Sequence, residues 1–551
     1  MFFVLVCIAA KMIADRSGSK AGPWYSIVPP LTAIVMAFLT KRVLVSLGAA
    51  IVLGGLLSTV PQSPVDITAW LAGAKATVSF FTDTVTTVDN LKILSFIPPI
   101  FVMVELIIAS GGFVGVLLIL LRWVKSKRTA QLSTAIMGLI CFIDDYANAL
   151  IVGSMMQPIT DRFRISREKL AFIVDATSAP VSGIAVVSTW ITFEVGLFSQ
   201  ISDKLALGKG GYAIFFDALA FRFYCIFMIF FVLAQAIFGR DFGPMKTAEQ
   251  GADNNSRKNL DNSTDNDCSI RQTLMKEHKG KAVNALVPIT GLVLFHLISL
   301  WFDGGGPGKL KTLSLLTHFT YWRDVISAAT HGHIILLKAA IFGLTLALIL
   351  GLLTKSLSRR AILNSVKSGL KRCVLPSLVL IFAWSLKNCS DNLKTPEFLA
   401  SILAGRIPPW LFPPVLFFVA SITSFATGTS WGTMAILIPT AIPIAHAIDG
   451  NVYGLTTMIS FGAILDGAIF GDHCSPISDT TIISSTASNC DLIKHVRTQL
   501  PYSLFVAGVA LAFAYLPCSL GLSSAVGMIL GIGAITTTLF VLSRFRNKTA
   551  S

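Results

Sequence analysis

The chain has 551 residues, of which 54% are hydrophobic and only 13% charged, and its formal net charge is +15. Soluble globular proteins carry about 25% charged residues, so this composition, with its repeated apolar runs of about 20 residues, excludes an ordinary soluble domain and indicates a polytopic membrane protein. The basic residues sit in short segments between apolar runs, where they set membrane orientation rather than bind nucleic acid, and the nine scattered cysteines with no C-x-x-C pair leave neither a zinc site nor a disulfide framework.

Residues 1–14 are apolar but short, and read as a signal-like segment or an extra first helix. Helices are expected at about 25–40 and 43–60, on either side of the basic turn Thr40-Lys41-Arg42. A polar stretch at 61–90 follows, then a helix at about 92–121 interrupted at Gly111-Gly112. The basic loop Arg122, Lys125, Lys127, Arg128 leads into an apolar segment at 132–158 with Asp144, Asp145, Tyr146 and Asn148 in its middle. A second basic loop (Arg162, Arg164, Arg167, Lys169) closes it, so both ends are expected on the cytoplasmic side. Two full crossings need about 40 residues, more than this segment has. The consistent reading is a re-entrant hairpin with IDDYAN at its tip, where protein or a watery cavity surrounds the non-helical backbone.

Residues 169–200 read as one crossing, broken at ATSAPVSG (176–183) by a proline among small residues. A helix at about 212–238 returns, and the polar stretch 239–281 reads as a flexible cytoplasmic linker. The pattern then recurs. Helices are expected at about 282–302 and 333–354, then a basic loop at 355–372 (Lys355, Arg359, Arg360, Lys367, Lys371, Arg372) and a helix at about 373–388. A second hairpin at 410–447 turns around ATGTSWG (426–432), and a second broken crossing at 453–487 carries FGDHCSPISDTTIISS (470–485). Helices at about 499–517 and 523–542 finish the chain.

The expected fold is an all-α polytopic membrane protein with two inverted-topology repeats, each holding a re-entrant hairpin and a broken transmembrane helix. Its parts are the N-terminal segment 1–23, a first repeat 24–238, the linker 239–281, a second repeat 282–519, and a final helix and cytoplasmic tail 520–551. The two breaks match locally: Ala179-Pro180-Val181-Ser182-Gly183 aligns with Ser475-Pro476-Ile477-Ser478-Asp479. Paired broken segments in an inverted repeat point to a transporter's midplane site.

A broken helix presents free carbonyls at one end and free amides at the other. Carbonyls together with carboxylates suit a hard cation. A buried aspartate is costly unless a proton or a cation neutralises it. A carboxylate that takes either H⁺ or Na⁺, but not both, yields exchange by competition. The candidate ion- and proton-binding residues are therefore Asp144, Asp145, Asn148, Asp175, Asp472, His473 and Asp479, with Na⁺ expected at Asp145, Asp175 and Asp472. Pro180, Ser182, Ser475, Pro476 and Ser478 are expected to build the breaks, and Thr429 and Ser430 the second hairpin tip. Ser475-Pro476 reads as the restart of the second broken helix, with Ser475 as its cap. Asp479 reads either as a ligand or as a cap on the restarted helix. Asp466 is a weaker candidate, while Glu105, Glu194, Asp217, Arg222 and Lys387 lie in apolar helices where many such residues only snorkel. Gly428-Thr429-Ser430-Trp431-Gly432 fits G-x-S-x-G, but that nucleophile motif needs a preceding strand in a soluble α/β context.

Four stretches also resemble the NhaC-type sodium/proton antiporters: GDHCSPISDTTIISS (471–485), the long segment from FIDDYAN to DATSAP (142–180), residues 25–57 and GRDFGPM (239–245). The resemblance runs from about Trp24 to about Ser519. It implies a proton-coupled cation exchanger of the wider ion-transporter superfamily, located in the inner membrane of a bacterium. It further implies importance for Asp144, Asp145, Asn148, Asp175, Asp472, His473, Ser475, Pro476 and Asp479. The function expected is Na⁺/H⁺ antiport by alternating access, with no cofactor beyond the transported ions. The expected partners are the lipid bilayer and those ions, with a homodimer left open and no nucleic acid. A Na⁺- or H⁺-coupled exchanger of a small carboxylate or amino acid is the alternative, and an intramembrane hydrolase the remote one.

Overall fold

The computed structural model describes residues 23–258 apart from Lys41, 280–395 apart from seven positions between 311 and 330, Phe398, and 408–548. The signal-like segment and linker residues 259–279 lie outside the described residues. Every regular element among the described residues is helical. Ten of these helices are long and apolar enough to cross a membrane, or eleven if the bent pair Gly211–Leu219 and Phe223–Phe238 counts as one span.

Most expected spans appear as helices, and the differences have local causes. The polar stretch 61–90 contains the helix Ile67–Thr86, started by Asp66, whose side chain accepts a hydrogen bond from the Thr68 amide. Its buried residues Gly73, Phe80 and Thr84 fall on one narrow stripe, a helical spacing hidden in a polar composition. The basic loop 355–372 is helical from Arg359 onward and continues without interruption to Asn392. At 1.5 Å per residue a helix of 34 residues is about 51 Å long, against about 30 Å of hydrocarbon, so its basic first turns can extend past the apolar layer. The linker begins with a further helix, Gly243–Lys258. The interruption at Gly111-Gly112 is real: Gly111 has φ 69° and separates Val88–Ala109 from Gly112–Leu120.

The chain divides into two compact units. The first holds the described residues up to Leu94, then Phe193–Phe221 and Val374–Gly471. Its helices Val43–Leu57 and Ile67–Thr86 meet at Gly55 and Gly73, where an added Cβ would press on the facing backbone. Small residues of this kind let membrane helices approach closely. Gly467 and Gly471 do the same for the helix that starts at Leu455: a Cβ at either would collide with the carbonyls of Phe417 or Ser421. The Ser424 hydroxyl also donates to the Ala468 carbonyl at 2.6 Å. The arm leading to Asp472 is thus fixed against Phe412–Thr427.

The second unit holds Ser95–Thr192, Arg222–Cys373 and the described residues from Asp472 onward. Its centre is a helix pair, Lys127–Ile140 and Asp145–Arg162, packed against Arg167–Ala176, Phe223–Phe238 and Asp479–Ala487, which in turn pack against Leu492–Ala510. On another flank Val283–Asp303 packs on Gly332–Leu353 and Gly112–Leu120.

Each half of the chain runs through the same order of elements. A helix pair joined by a short turn (Lys127–Ile140 with Asp145–Arg162; Phe412–Thr427 with Ser430–Ile448) precedes a broken helix (Arg167–Ala176 to Thr189–Leu205; Leu455–Cys474 to Asp479–Ala487).

Candidate ion-binding site

The first helix pair turns at Cys141–Asp144. Asp144 is the N-cap of the second arm, its Oδ1 accepting the Ala147 amide at 2.8 Å. One turn on, Asn148 donates through Nδ2 to the carbonyls of Gly138 and Thr177, each at 2.8 Å. Thr177 is the last residue before the first break, so Asn148 ties both arms of the pair to the broken helix and covers one carbonyl the break leaves free. The break is tied back in turn. Ser182 Oγ donates to the Phe142 carbonyl at 2.9 Å, and the Thr189 amide to the Ile143 carbonyl at 2.8 Å. Pro180 occupies the first turn of the short helix Ala179–Ser182 within the break, and the Ser188 hydroxyl accepts the Ile191 amide at 3.1 Å to start the helix beyond it.

Asp144 and Asp145 are neighbours in sequence and opposites in surroundings. Asp144 Oδ1 also receives Arg372 Nη2 at 2.7 Å, while Nη1 of the same guanidinium reaches Glu105 Oε1 at 2.8 Å. Asp145 is buried, and neither of its carboxylate oxygens has a hydrogen-bond partner among the described residues. The Trp190 indole and the Tyr146 amide act on it as polar neighbours. The carbonyl oxygen of the Asn148 side chain is buried and unpartnered as well.

The second broken helix stops at Cys474 and restarts at Asp479. The restart differs from the expectation at Ser475-Pro476. Its cap is Ser478, whose hydroxyl accepts the Thr481 amide at 3.4 Å. Ser475 instead closes the preceding turn through its amide to the Asp472 carbonyl at 3.0 Å, leaving Pro476 in the irregular segment. Asp479 is therefore the first helical residue rather than the cap, and its exposed carboxylate accepts the Tyr146 hydroxyl at 3.0 Å. Asp472 is buried; Oδ2 accepts Thr480 Oγ1 at 3.0 Å, and Oδ1 has no hydrogen-bond partner among the described residues. Tyr146 is the common neighbour, its hydroxyl lying within electrostatic reach of Asp145, Asp472 and Asp479.

Asp175, fully buried, is surrounded by donors. Gln499 Nε2 reaches Oδ2 at 2.7 Å and the His473 carbonyl at 2.6 Å. Thr481 and Ser484 donate at 3.4 and 3.3 Å, and the imidazoles of His495 and His473 approach to 3.4 and 3.8 Å. His473 Nδ1 pairs with the Tyr224 hydroxyl at 3.0 Å. No group of three or more His, Cys, Asp or Glu residues with metal-site geometry occurs among the described residues.

Thr429 and Ser430 lie in the first unit. Thr429 caps Ser430–Ile448 through the Gly432 amide, after Gly428 turns the chain at φ 67°. The G-x-S-x-G pattern thus joins two helices, and Ser430 Oγ has no hydrogen-bond partner among the described residues. Asp466 is buried in that unit too. Among the residues read as snorkelling, Glu105 pairs with Arg372, Asp217 with Lys209 and Lys387 with Asp391.

Arg372, His495, Gln499 and Tyr146 contact the candidate residues without being candidates in the sequence reading. Gln499 and His495 carry a readable signal, two polar residues four apart on an apolar helix and hence on one face. Arg372 carries none beyond its place at the end of a basic run.

The sequence profile of the Na⁺/H⁺ antiporter family matches residues 183–518. An uncharacterized Haemophilus influenzae protein is 32% identical over 88% of both chains. The malate-2H⁺/Na⁺-lactate antiporter of Bacillus subtilis is 41% identical, over 18% of this chain and 20% of its own. NhaC of Alkalihalophilus pseudofirmus is 30% identical over 25% of this chain and 28% of its own. Among solved structures, the Alcanivorax borkumensis YdaH transporter superposes with a TM-score of 0.53 at 12% identity, covering 90% of this chain and 99% of that one. At that identity the likeness concerns the fold alone. The profile match covers more than half of the chain, and the chain belongs to the Na⁺/H⁺ antiporter family.

Proposed function

We propose that this protein exchanges Na⁺ for H⁺ by alternating access. The observation that carries the reading is the set of buried carboxylate oxygens with no hydrogen-bond partner among the described residues: both of Asp145 and one of Asp472. A bare carboxylate in an apolar interior is sustained only by a counter-charge or a proton. Competition of the two for the same oxygens couples their movements. Asp145 and Asp472 then hold the cation, with the Asn148 carbonyl as a neutral ligand, and the exposed Asp479 with Tyr146 forms the entrance.

Asp175 takes a different part from the Na⁺ ligand expected of its sequence position. Its oxygens already face Gln499, Thr481, Ser484 and two imidazoles. That leaves little room for Na⁺, but suits a proton shared between a carboxylate and histidine. The recurrence of a helix pair and a broken helix in each half supports two inverted repeats. The location proposed is the cytoplasmic membrane of a bacterium, since bacterial antiporters are among its relatives.

A second reading, exchange of a small carboxylate, is favoured by the B. subtilis relative named for malate and lactate. Arg372 is the obvious anion partner near the tip, but its fork is already taken up by Glu105 and Asp144. Purified protein in proteoliposomes tests both. After a proton gradient is imposed, Na⁺, Li⁺, K⁺, malate and lactate are added singly while internal pH is followed. Dissipation by Na⁺ or Li⁺ alone supports cation exchange. Dissipation that needs a carboxylate transfers the function to the second reading.

A further inference from the structure

We infer that Arg372 divides the Asp144–Asp145 pair, fixing Asp144 as a counter-ion and helix cap so that Asp145 alone serves the transported ion, an assignment that rests on the cation-exchange reading above.

Two adjacent aspartates look interchangeable in sequence. The structure gives the hydrogen bonds to one of them. Asp144 Oδ1 accepts the Ala147 amide at 2.8 Å and Arg372 Nη2 at 2.7 Å, and Arg372 Nη1 takes Glu105 at 2.8 Å. Asp145 has no such partner among the described residues, only the Trp190 indole and the Tyr146 amide as polar neighbours. One planar guanidinium presents two forks at fixed angles and so bridges two carboxylates, which a lysine ammonium cannot do with the same geometry.

The guanidinium is itself held in place. Three residues before Arg372, Gly369 lies so close to the helix Val88–Ala109 that an added Cβ would stand 2.8 Å from the Val102 backbone. Ser365 Oγ donates to the Glu105 carbonyl at 3.3 Å. The two helices are therefore locked side by side at the level of Glu105, and the fork has one place to go.

The consequence is electrostatic. With Asp144 ion-paired to Arg372, Asp145 is the one carboxylate of the adjacent pair left facing the ion without a cationic partner among the described residues, and Arg372 removes one unit of negative charge from the cluster of Asp144, Asp145 and Glu105. Without Arg372 two adjacent carboxylates face the ion and a third, Glu105, sits behind them. Such a tip binds cations more tightly, releases them more slowly and favours a divalent ion. Arg372 is thus a positioning and charge-selecting residue, not a ligand.

The test uses four variants of the full chain in proteoliposomes: Asp144→Asn, Asp145→Asn, Arg372→Gln and the double variant Asp144→Asn/Arg372→Gln. Asparagine caps a helix about as well as aspartate, so Asp144→Asn is expected to keep exchange, with a Na⁺ half-saturation concentration within about threefold of the parent. Asp145→Asn is expected to lose exchange. Arg372→Gln is expected to change the half-saturation concentration about tenfold, in the range of directly coupled charges, to slow the maximal rate, and to become sensitive to Ca²⁺. The double variant is expected to recover the parent's half-saturation. Loss of exchange in Asp144→Asn, or a double variant no better than Arg372→Gln, overturns the inference. Melting temperatures of the purified variants separate it from the functional reading. If the parent shows no Na⁺ exchange, that reading falls. The pairing then stands if Asp144→Asn restores stability lost in Arg372→Gln, and falls if it does not.

Discussion

Replacing Asp145 by Asn should make the protein no less stable and yet inactive. The carboxylate is buried without a hydrogen bond, and an unpaired buried polar group costs about 1–3 kcal/mol, more when charged. Against that relief stands its place at the first helical position of Asp145–Arg162, where a negative charge contributes about 0.3–1 kcal/mol through the helix dipole. The balance lies between about zero and about 2.7 kcal/mol in favour of Asn in Na⁺-free buffer. Sodium reverses the order. A ligand at 100 times its dissociation constant stabilises the folded state by about 2.7 kcal/mol. The parent should gain that increment, and Asp145→Asn should gain none. Thermal unfolding of detergent-solubilised protein, in NaCl and in choline chloride at equal ionic strength, reads both effects. A variant that melts well below the parent without Na⁺, or keeps the parent's Na⁺-dependent shift, would refute the reasoning.

Asn148→Ala leaves the buried carbonyls of Gly138 and Thr177 without their donor, and should cost about 2–4 kcal/mol of stability, read as a lower melting temperature with or without Na⁺. Gln499→Leu removes the donor shared by Asp175 and the His473 carbonyl; it should slow proton-coupled exchange while leaving Na⁺-induced stabilisation intact, and loss of that stabilisation instead would place Gln499 at the cation. Ser478→Ala should cost about 1 kcal/mol through loss of the cap, and Ser475→Ala less than half as much; the reverse order in melting experiments would restore Ser475 as the start of the helix.

The spans, the two breaks and the first tip are legible in the sequence because each leaves a local mark. Apolar runs of the right length, Pro180 and Pro476 among small residues, and acidic residues inside an apolar segment can be read without a partner. Helix Ile67–Thr86 escapes such reading because its buried stripe is one residue wide, and composition outweighs it. The start of Arg359–Asn392 escapes because basic residues mark a membrane boundary but do not stop a helix. The proposed division of labour within the site is hidden for another reason. Asp144, Asp145 and Asp175 are the same residue type in similar motifs, and only long-range donors separate them: Arg372 from a distant helix, Gln499 and His495 from one near the end of the chain. The cap at Ser478 rather than Ser475 illustrates the smaller error, since two serines flank the same proline and backbone geometry alone decides between them.

Following both ions in one preparation tests the proposed exchange most directly. Proteoliposomes loaded with labelled Na⁺ are diluted into Na⁺-free buffer, and Na⁺ efflux and internal acidification are recorded together for the parent and Asp145→Asn. Competition of Na⁺ and H⁺ at Asp145 predicts that the parent loses Na⁺ as its lumen acidifies, in a fixed ratio, and that Asp145→Asn does neither. Na⁺ efflux without acidification, or coupled exchange that survives in Asp145→Asn, would contradict it.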